Sequence, residues 1–472
     1  MKEIIVIGAG ISGLATAFEV RRKAHEAGIP ANVRIIEKEV VPGGKMRTEI
    51  VEGYTCEWGP NGYLDSKVHA TEFCEMAGLK DELVPASNIV NRRFLYSRKK
   101  LWVLPESPPR FFLSGLLSLR GRLRIMLEPL IKRALPEIDE SVSEFATRRL
   151  GKEALEMLLD PFVSGVFAGN PDALSLKSCF PRIHEMEQTY GSLVRALFAL
   201  RKKRKLEKKK AREEGKAVAG ATAPRGHLTS LKKGMGQLIE ALAGHFDGSL
   251  HCGSRIDTLG RSGDGLNVIG PDGEIKADAV VLAVPAYRAA GILSTLAPEA
   301  KSPLKGVDYN GLWVICMGFD KSLVEHPLDG YGFLIPRIEK RSILGCLWSS
   351  SIFPGRAPDG KVMLRIMAGG ARNPEKAELS EDEIVSLARQ ELDEILGISV
   401  EPEFVRAIRH ERAIPQYTIG HATRIEEVGR ALADTPGIFL TGNSYRGVAM
   451  ADCILDAGRT ADEVIGYLSG GK

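Results

Sequence analysis

A chain of 472 residues with 44% hydrophobic and 26% charged residues has the composition of an ordinary folded protein with room for two or three domains. A formal net charge of +4 gives no electrostatic case for nucleic acid, and seven scattered cysteines without a C-x-x-C pair argue against a secreted disulfide framework. The nine histidines show no ligand spacing, so no metal is expected, and no run reaches the ~20 apolar residues of a membrane span. The chain opens directly on its first strand-like run, which leaves no room for a signal peptide and points to the cytoplasm.

Ile4–Ile7 reads as a buried parallel strand. It runs into Gly8-Ala9-Gly10-Ile11-Ser12-Gly13, a helix to about Ala27, and a second strand, Val33–Ile36, that ends on Glu37. This is the G-x-G-x-x-G arrangement for a dinucleotide. Gly8 permits the tight turn, Gly10 lets backbone approach the pyrophosphate, and Gly13 lets helix and strand pack closely. The pyrophosphate sits on the helix N-terminus and Glu37 accepts from the ribose hydroxyls. Glu37 lies slightly farther along than the usual ~20 residues, a difference the polar turn Glu26–Asn32 can absorb.

A second glycine pair follows in Val41-Pro42-Gly43-Gly44-Lys45-Met46-Arg47. Another close backbone approach with Arg47 near phosphate or flavin suits a long extended ligand, so FAD is expected rather than a nicotinamide. The pair resembles the double-glycine motif of the flavin-containing amine oxidase superfamily. Farther on, Glu57-Trp58-Gly59-Pro60-Asn61 reads as a strand running into a turn, Val68–Gly78 as a helix, and Asn91–Tyr96 as a strand with a basic entry. From Pro108 to Leu193 the pattern is helical. Phe111–Leu119 is followed by Arg120, Arg122, Arg124, Lys132 and Arg133 among apolar residues, which suits a helix on an anionic membrane surface or one packed on its own domain. The run Arg201–Arg212 reads as a solvated helix end or flexible insert, with lipid contact as the alternative.

Beyond it, Lys233–Gly236 is a glycine turn before a helix, and strand pieces from His251 to Val284 carry hairpin signals at Ser262–Gly265 and Pro271–Gly273. Asp278–Pro285 is a returning parallel strand. Ala286–Arg409 alternates strands and helices without a phosphate signature. Gly437–Ile454 is a strand, a glycine turn and a terminal helix whose N-terminus, at Val448–Met450, can face the N1/O2 edge of an isoalloxazine.

Four motifs occur in order: E-x-G-P-N at Glu57–Asn61, G-V-F-A-G at Gly165–Gly169, I-P-Q-Y-T-x-G-H at Ile414–His421, and G-V-x-x-x-D-C-I at Gly447–Ile454. Together they resemble the oxygen-dependent protoporphyrinogen oxidases of haem biosynthesis across nearly the whole chain. The resemblance implies an α/β chain: a two-dinucleotide-binding, Rossmann-type FAD domain (1–85, 225–285, 410–472), an α+β substrate domain (86–107, 286–409), a helical membrane-binding domain (108–193) and a basic flexible insert (194–224). Cofactor contacts are expected from Gly8, Gly10, Ile11, Ser12, Gly13, Glu37, Lys38, Gly43, Gly44, Lys45, Arg47, Gly59, Pro60, Asn61, Ile256 against the adenine, Ala283, Gly442, Val448, Ala449 and Met450. Asn61 faces the reacting centre. Arg93 pairs with a substrate propionate, a role its planar fork suits, although on sequence alone it equally reads as an exposed strand-end arginine. Gly165, Leu334, Leu347 and Met367 line the tetrapyrrole pocket by analogy; without it, the last three read as core.

The implied reaction is six-electron oxidation of protoporphyrinogen IX in three flavin cycles, with molecular oxygen as acceptor. Implied with it are a peripheral site on the inner face of the cell membrane, a homodimer, and product hand-over to a ferrochelatase. Coproporphyrinogen III oxidase is the close alternative. More distant are an amine oxidase or carotenoid desaturase relative, against the former of which Asn443 stands where an acid is usual, and a non-catalytic binding protein on the same scaffold.

Overall fold

The computed structural model describes residues 1–105, 110, 114–213, 226–263 and 265–470. Ile4, Ile5 and Val6 are fully buried on both faces of the strand Lys2–Ile7, as a continuous apolar run in a parallel sheet requires. That strand lies at the centre of a five-stranded parallel sheet. Its order is Leu250–Cys252, Ala31–Glu37, Lys2–Ile7, Ala279–Leu282, Ile438–Leu440. The helices Ile11–Glu26, Gly236–Gly244 and Met450–Leu468 cover one face through Leu14, Ala17, Leu238, Ile454 and Ala461. The other face packs on a three-stranded antiparallel meander, Thr258–Ser262, Gly265–Gly270 and Gly273–Ala277. Asp264, at its first turn, lies outside the described residues.

A second sheet has seven strands in the order Phe404–Gln416, Asp308–Asp320, Lys361–Gly369, Ile343–Leu347, Gly332–Leu334, Phe94–Ser97, Lys100–Val103. Its pairs are antiparallel except Gly332–Leu334 with Phe94–Ser97. Strand alternation divides its residues by face. Ile315, Met317, Leu364, Ile366 and Ala368 pack against Ile384, Ala388 and Leu392 of the helix Glu381–Leu396, which Ser380 and Glu383 start with a reciprocal capping box. Val314, Arg365, Met367, Leu347 and Leu334 occupy the opposite face, toward the parallel-sheet domain.

Between residues 114 and 213 the described chain is helical, with a π-helical turn at Leu155–Leu159 leading into Asp160–Phe167. A buried ionic centre organises it. Arg149 Nε donates to Glu187 Oε1 at 2.6 Å and Nη1 to Glu128 Oε1 at 3.1 Å, with all three side chains fully buried. Glu128 accepts further bonds from Ser192 Oγ and the amides of Leu193 and Val194. Among the described residues no helix is long and apolar enough to cross a membrane.

The structure departs from the sequence reading in four places. Asn88–Asn91 is a 3₁₀ turn and the strand begins only at Phe94, after the two arginines. Ile256 belongs to no strand; it lies in the segment before Thr258–Ser262, held to the end of the second parallel strand by Gly253 N–H to Glu39 O and Ser254 N–H to Glu37 O. The boundary at 193 falls at the start of a helix, Leu193–Glu213, because the basic run is built from Leu, Lys, Arg, Ala and Glu, all strong helix formers. The boundary at 409 falls inside the strand Phe404–Gln416. Phe111–Leu113 and the Gly-Ala-Thr-Pro stretch up to Pro224 lie outside the described residues.

Arg149→Met leaves two buried carboxylates facing each other and should cost about 3–5 kcal/mol in urea unfolding. Adding Glu128→Gln and Glu187→Gln should recover part of that loss.

Candidate active site

The first wall is backbone. Gly8 takes φ +104°, and a Cβ on Gly13 would stand 1.8 Å from Gly8 O, so this helix–strand contact excludes any side chain. The amides of Ser12 and Gly13 have no protein acceptor among the described residues. Ala283 follows the neighbouring strand, its amide on Ile7 O and its side chain against Gly13. Gly43 and Gly44, both at positive φ, bring the second glycine turn against the first; Gly43 N–H donates to Ala9 O at 2.8 Å, and Gly43 bridges Gly10. Glu37 is buried, accepting from Ala9 N–H at 2.7 Å and Glu39 N–H at 2.9 Å, and Ile256 lies buried in the cluster that contains Ile36. Lys38 pairs with Glu39 at the surface. Arg47 stacks over Trp58 at 5.3 Å and donates to Val41 O.

The second wall is the start of the helix Met450–Leu468. The amides of Val448, Ala449 and Met450 likewise have no protein acceptor among the described residues, and Gly442 approaches the Ser12 side chain. Two helix N-termini, each with unpaired donors, thus converge on one corner. Tyr417 shapes the connecting loop, donating to Asn443 O at 2.6 Å and accepting from Gly447 N–H at 2.8 Å. Lys45 is enclosed with no carboxylate partner among the described residues. It donates to Ala413 O and sits 5.4 Å from the Tyr309 ring centre, and burial pulls its pKa down to about 8.

The third wall is the seven-stranded sheet and Asp160–Phe167. Leu334 methyl groups lie about where a Cβ on Gly165 would project, 3.1 Å away. Phe162 and Val166, one turn apart on the same helix face, are 51% and 40% exposed, an apolar surface beside the Gly165–Leu334 contact. Leu347 and Met367 gather with Tyr331, over whose ring Arg93 lies at 5.4 Å. Arg92 is paired with Asp329, while Arg93 has no ion pair among the described residues. Asn61 is buried, and its Nδ2 has no partner among the described residues.

Sequence reasoning missed three polar residues of this region. Arg365 is buried and donates to Glu57 O and Gly59 O; an arginine inside the apolar run Val362–Ala368 was its only signal. His410 Nε2 donates to Trp58 O at 2.9 Å, with burial holding the imidazole below its usual range. Tyr331 gave no signal.

The chain matches the family described as flavin containing amine oxidoreductase over residues 11–465. It belongs to that family. Its cofactor is accordingly FAD, and the protein is an oxidoreductase. It is 31% identical to a coproporphyrinogen III oxidase of Bacillus subtilis, covering 99% of this chain and 98% of the relative. It is 32% identical to a chloroplastic protoporphyrinogen oxidase of Nicotiana tabacum, covering 99% and 86%. A crystal structure from Exiguobacterium sp. 255-15, provisionally named a protoporphyrinogen oxidase, superimposes with a TM-score of 0.83 at 26% identity over 99% of each chain. The site fits the cofactor: the unpaired amides at both helix starts would hold its anionic parts, Glu37 its ribose, and the two glycine turns its extended length.

Lys45→Met gives opposite signs in two measurements. The folded-state pKa lies below that of an unfolded lysine, so protonated Lys45 costs stability at pH 7, and this cost fades as pH rises from about 8 toward 10.5. The apo variant should therefore melt higher than wild type at pH 7, with a gap that narrows by pH 10. FAD titration of the same variant should show weaker binding.

Proposed function

We propose that this enzyme oxidises a porphyrinogen, converting protoporphyrinogen IX to protoporphyrin IX in three two-electron steps with molecular oxygen as final acceptor. What carries the reading is the apolar surface that Gly165, Phe162 and Val166 form with Leu334, Leu347 and Met367, with Arg93, which has no ion pair among the described residues, lying over Tyr331 beside Leu347 and Met367. A flat apolar macrocycle bearing carboxylates matches both features. Bound FAD supplies the hydride acceptor. The chain's own contribution is positional: the apolar walls exclude water, Arg93 grips a propionate through two parallel hydrogen bonds, and Asn61 offers an unpaired amide donor to orient the reacting carbon. The Bacillus relative supports coproporphyrinogen III as a second substrate reading. So does a cavity of about 290 Å³ lined by Asn91, Arg92, Val103, Leu104, Pro105 and Arg110, beside Arg93, where an additional carboxylate would meet Arg110, Arg92 being paired with Asp329.

Work at a membrane surface is part of the proposal. Leu119, Leu123, Met126, Leu127 and Leu130 are half or more exposed beside Arg120, Lys132 and Arg133, the pattern of an interfacial helix on anionic lipid.

Aerobic porphyrin fluorescence with FAD-loaded protein compares the two substrates directly. Turnover of protoporphyrinogen IX, with Arg93→Ala raising KM roughly tenfold, is the expected result. Preference for coproporphyrinogen III would establish the second reading, and turnover of neither would refute both. In sedimentation with phosphatidylglycerol vesicles, wild type should pellet and Leu123→Asp/Leu130→Asp should remain largely in the supernatant.

A further inference from the structure

The strand Tyr54–Glu57 leads into a segment that ends at Asn61, and its three consecutive carbonyls are each taken by a side chain of the seven-stranded sheet. Arg365 Nε donates to Glu57 O at 3.2 Å and Nη2 to Gly59 O at 2.7 Å; His410 Nε2 donates to the intervening Trp58 O at 2.9 Å. In extended chain, alternate carbonyls point to opposite sides, so one planar guanidinium spans the first and third while a second side chain must take the middle one. Arg365 stands on Lys361–Gly369 and His410 on Phe404–Gln416, and the strand Asp308–Asp320 separates those two.

The arrangement is costly. Arg365 is 5% exposed, paired in register with Cys316 and Leu347, and has no carboxylate partner among the described residues. A buried cation satisfied by neutral carbonyls stabilises a fold poorly, so its value lies in where it holds the backbone. Beyond the clip there is little slack. A Cβ on Gly59 would lie 2.3 Å from Lys45 O, and Pro60 has its φ fixed by its ring. Asn61 comes next, buried, with its Nδ2 unpartnered among the described residues.

We propose that Arg365 and His410 are positioning residues that set the Asn61 carboxamide at the reacting centre, so that the substrate-side sheet fixes the geometry of the flavin-side segment. That Asn61 meets a porphyrinogen rests on the function proposed above; that it is held by this clip does not. Loss of either donor frees a carbonyl and lets the segment shift, and a misplacement of about 1 Å costs on the order of 10²-fold in rate.

The test uses FAD-loaded holoenzyme of Arg365→Met, His410→Phe, His410→Gln, Asn61→Ala and the double variant Arg365→Met/Asn61→Ala. Flavin content and visible circular dichroism of the bound flavin are read first, without substrate, followed by kcat and KM. The expected result is near-normal FAD content, an altered flavin dichroism and a kcat at least tenfold lower in Arg365→Met and His410→Phe, with KM changed less than about threefold. His410→Gln, which keeps a donor for Trp58 O, should restore both signals. The double variant should lose no more than Asn61→Ala alone, because both changes remove one function. Multiplied losses in the double variant, or unchanged dichroism and kcat in His410→Phe, would overturn the proposal. If Arg365→Met does not fold, the two His410 variants decide alone. If wild type turns over no porphyrinogen, the function fails, while the dichroism of His410→Phe and its restoration in His410→Gln still decide the clip.

Discussion

Two sets of backbone donors without a protein acceptor among the described residues, at Ser12–Gly13 and Val448–Met450, are the constraint on which the molecule turns. Each helix start carries partial positive charge and unmet hydrogen-bonding capacity. Placing two such ends in one corner is unfavourable until an anionic, acceptor-rich ligand enters. The rest of the parallel sheet serves this corner. Gly13 has no side chain because the helix must touch Gly8, and Ala283 closes the neighbouring strand against Gly13. Glu37 ends buried at the strand edge with its carboxylate already held by two amides. The ends of the chain are far apart in sequence, yet the helices Ile11–Glu26 and Met450–Leu468 pack on the same sheet face, which turns two local motifs into one site.

The flavin half was legible because its chemistry is local. A turn that needs glycine at a given spacing, followed by a helix and an acid, fits within 37 residues and leaves its pattern in the sequence. The substrate half was legible only as elements. The apolar run Val362–Ala368 has the composition of a buried strand, but the partners of Arg365 are carbonyls at residues 57 and 59, and no local pattern reports a contact across that distance. The 3₁₀ turn at Asn88–Asn91 was missed for the opposite reason: Asn91–Tyr96 has strand-like composition, and its N-terminal edge was set by a turn rather than by propensity. Ile256 was placed in a strand because apolar periodicity does not reveal that its segment is pinned to Glu37 and Glu39 by backbone.

Several buried polar residues, some of them in the motifs, join layers of the fold. Asp160 accepts from Arg372 Nη2 at 2.8 Å and from the Arg337 amide at 2.7 Å, binding the helical region to the seven-stranded sheet. Gln416 donates to Phe167 O at 2.9 Å, and Tyr417 holds the loop before the terminal helix. Asn310 donates to Ala168 O, which sits at the left-handed end of Asp160–Phe167. The three surfaces keep one mutual geometry only if they are fixed to one another. Buried side-chain-to-backbone bonds do this with less tolerance than apolar packing, which accepts sliding.

The same reasoning separates the two arginines at the strand entry. Arg92 and Arg93 are adjacent in sequence and both reach solvent, but Arg92 is neutralised by Asp329 while Arg93 rests its guanidinium on Tyr331. A cation with a carboxylate already in place adds little attraction for another; one lying over an aromatic ring keeps its charge and its hydrogen-bonding fork free. The hairpin tip beyond them repeats the pattern, since Lys100 lies 4.2 Å from the centre of the Trp102 ring and Arg98 reaches Gly115 O. Total positive charge is therefore a poor guide to how strongly this edge attracts anions. The number of cations held on rings rather than on acids is the better measure, and the edge keeps several of them in that state.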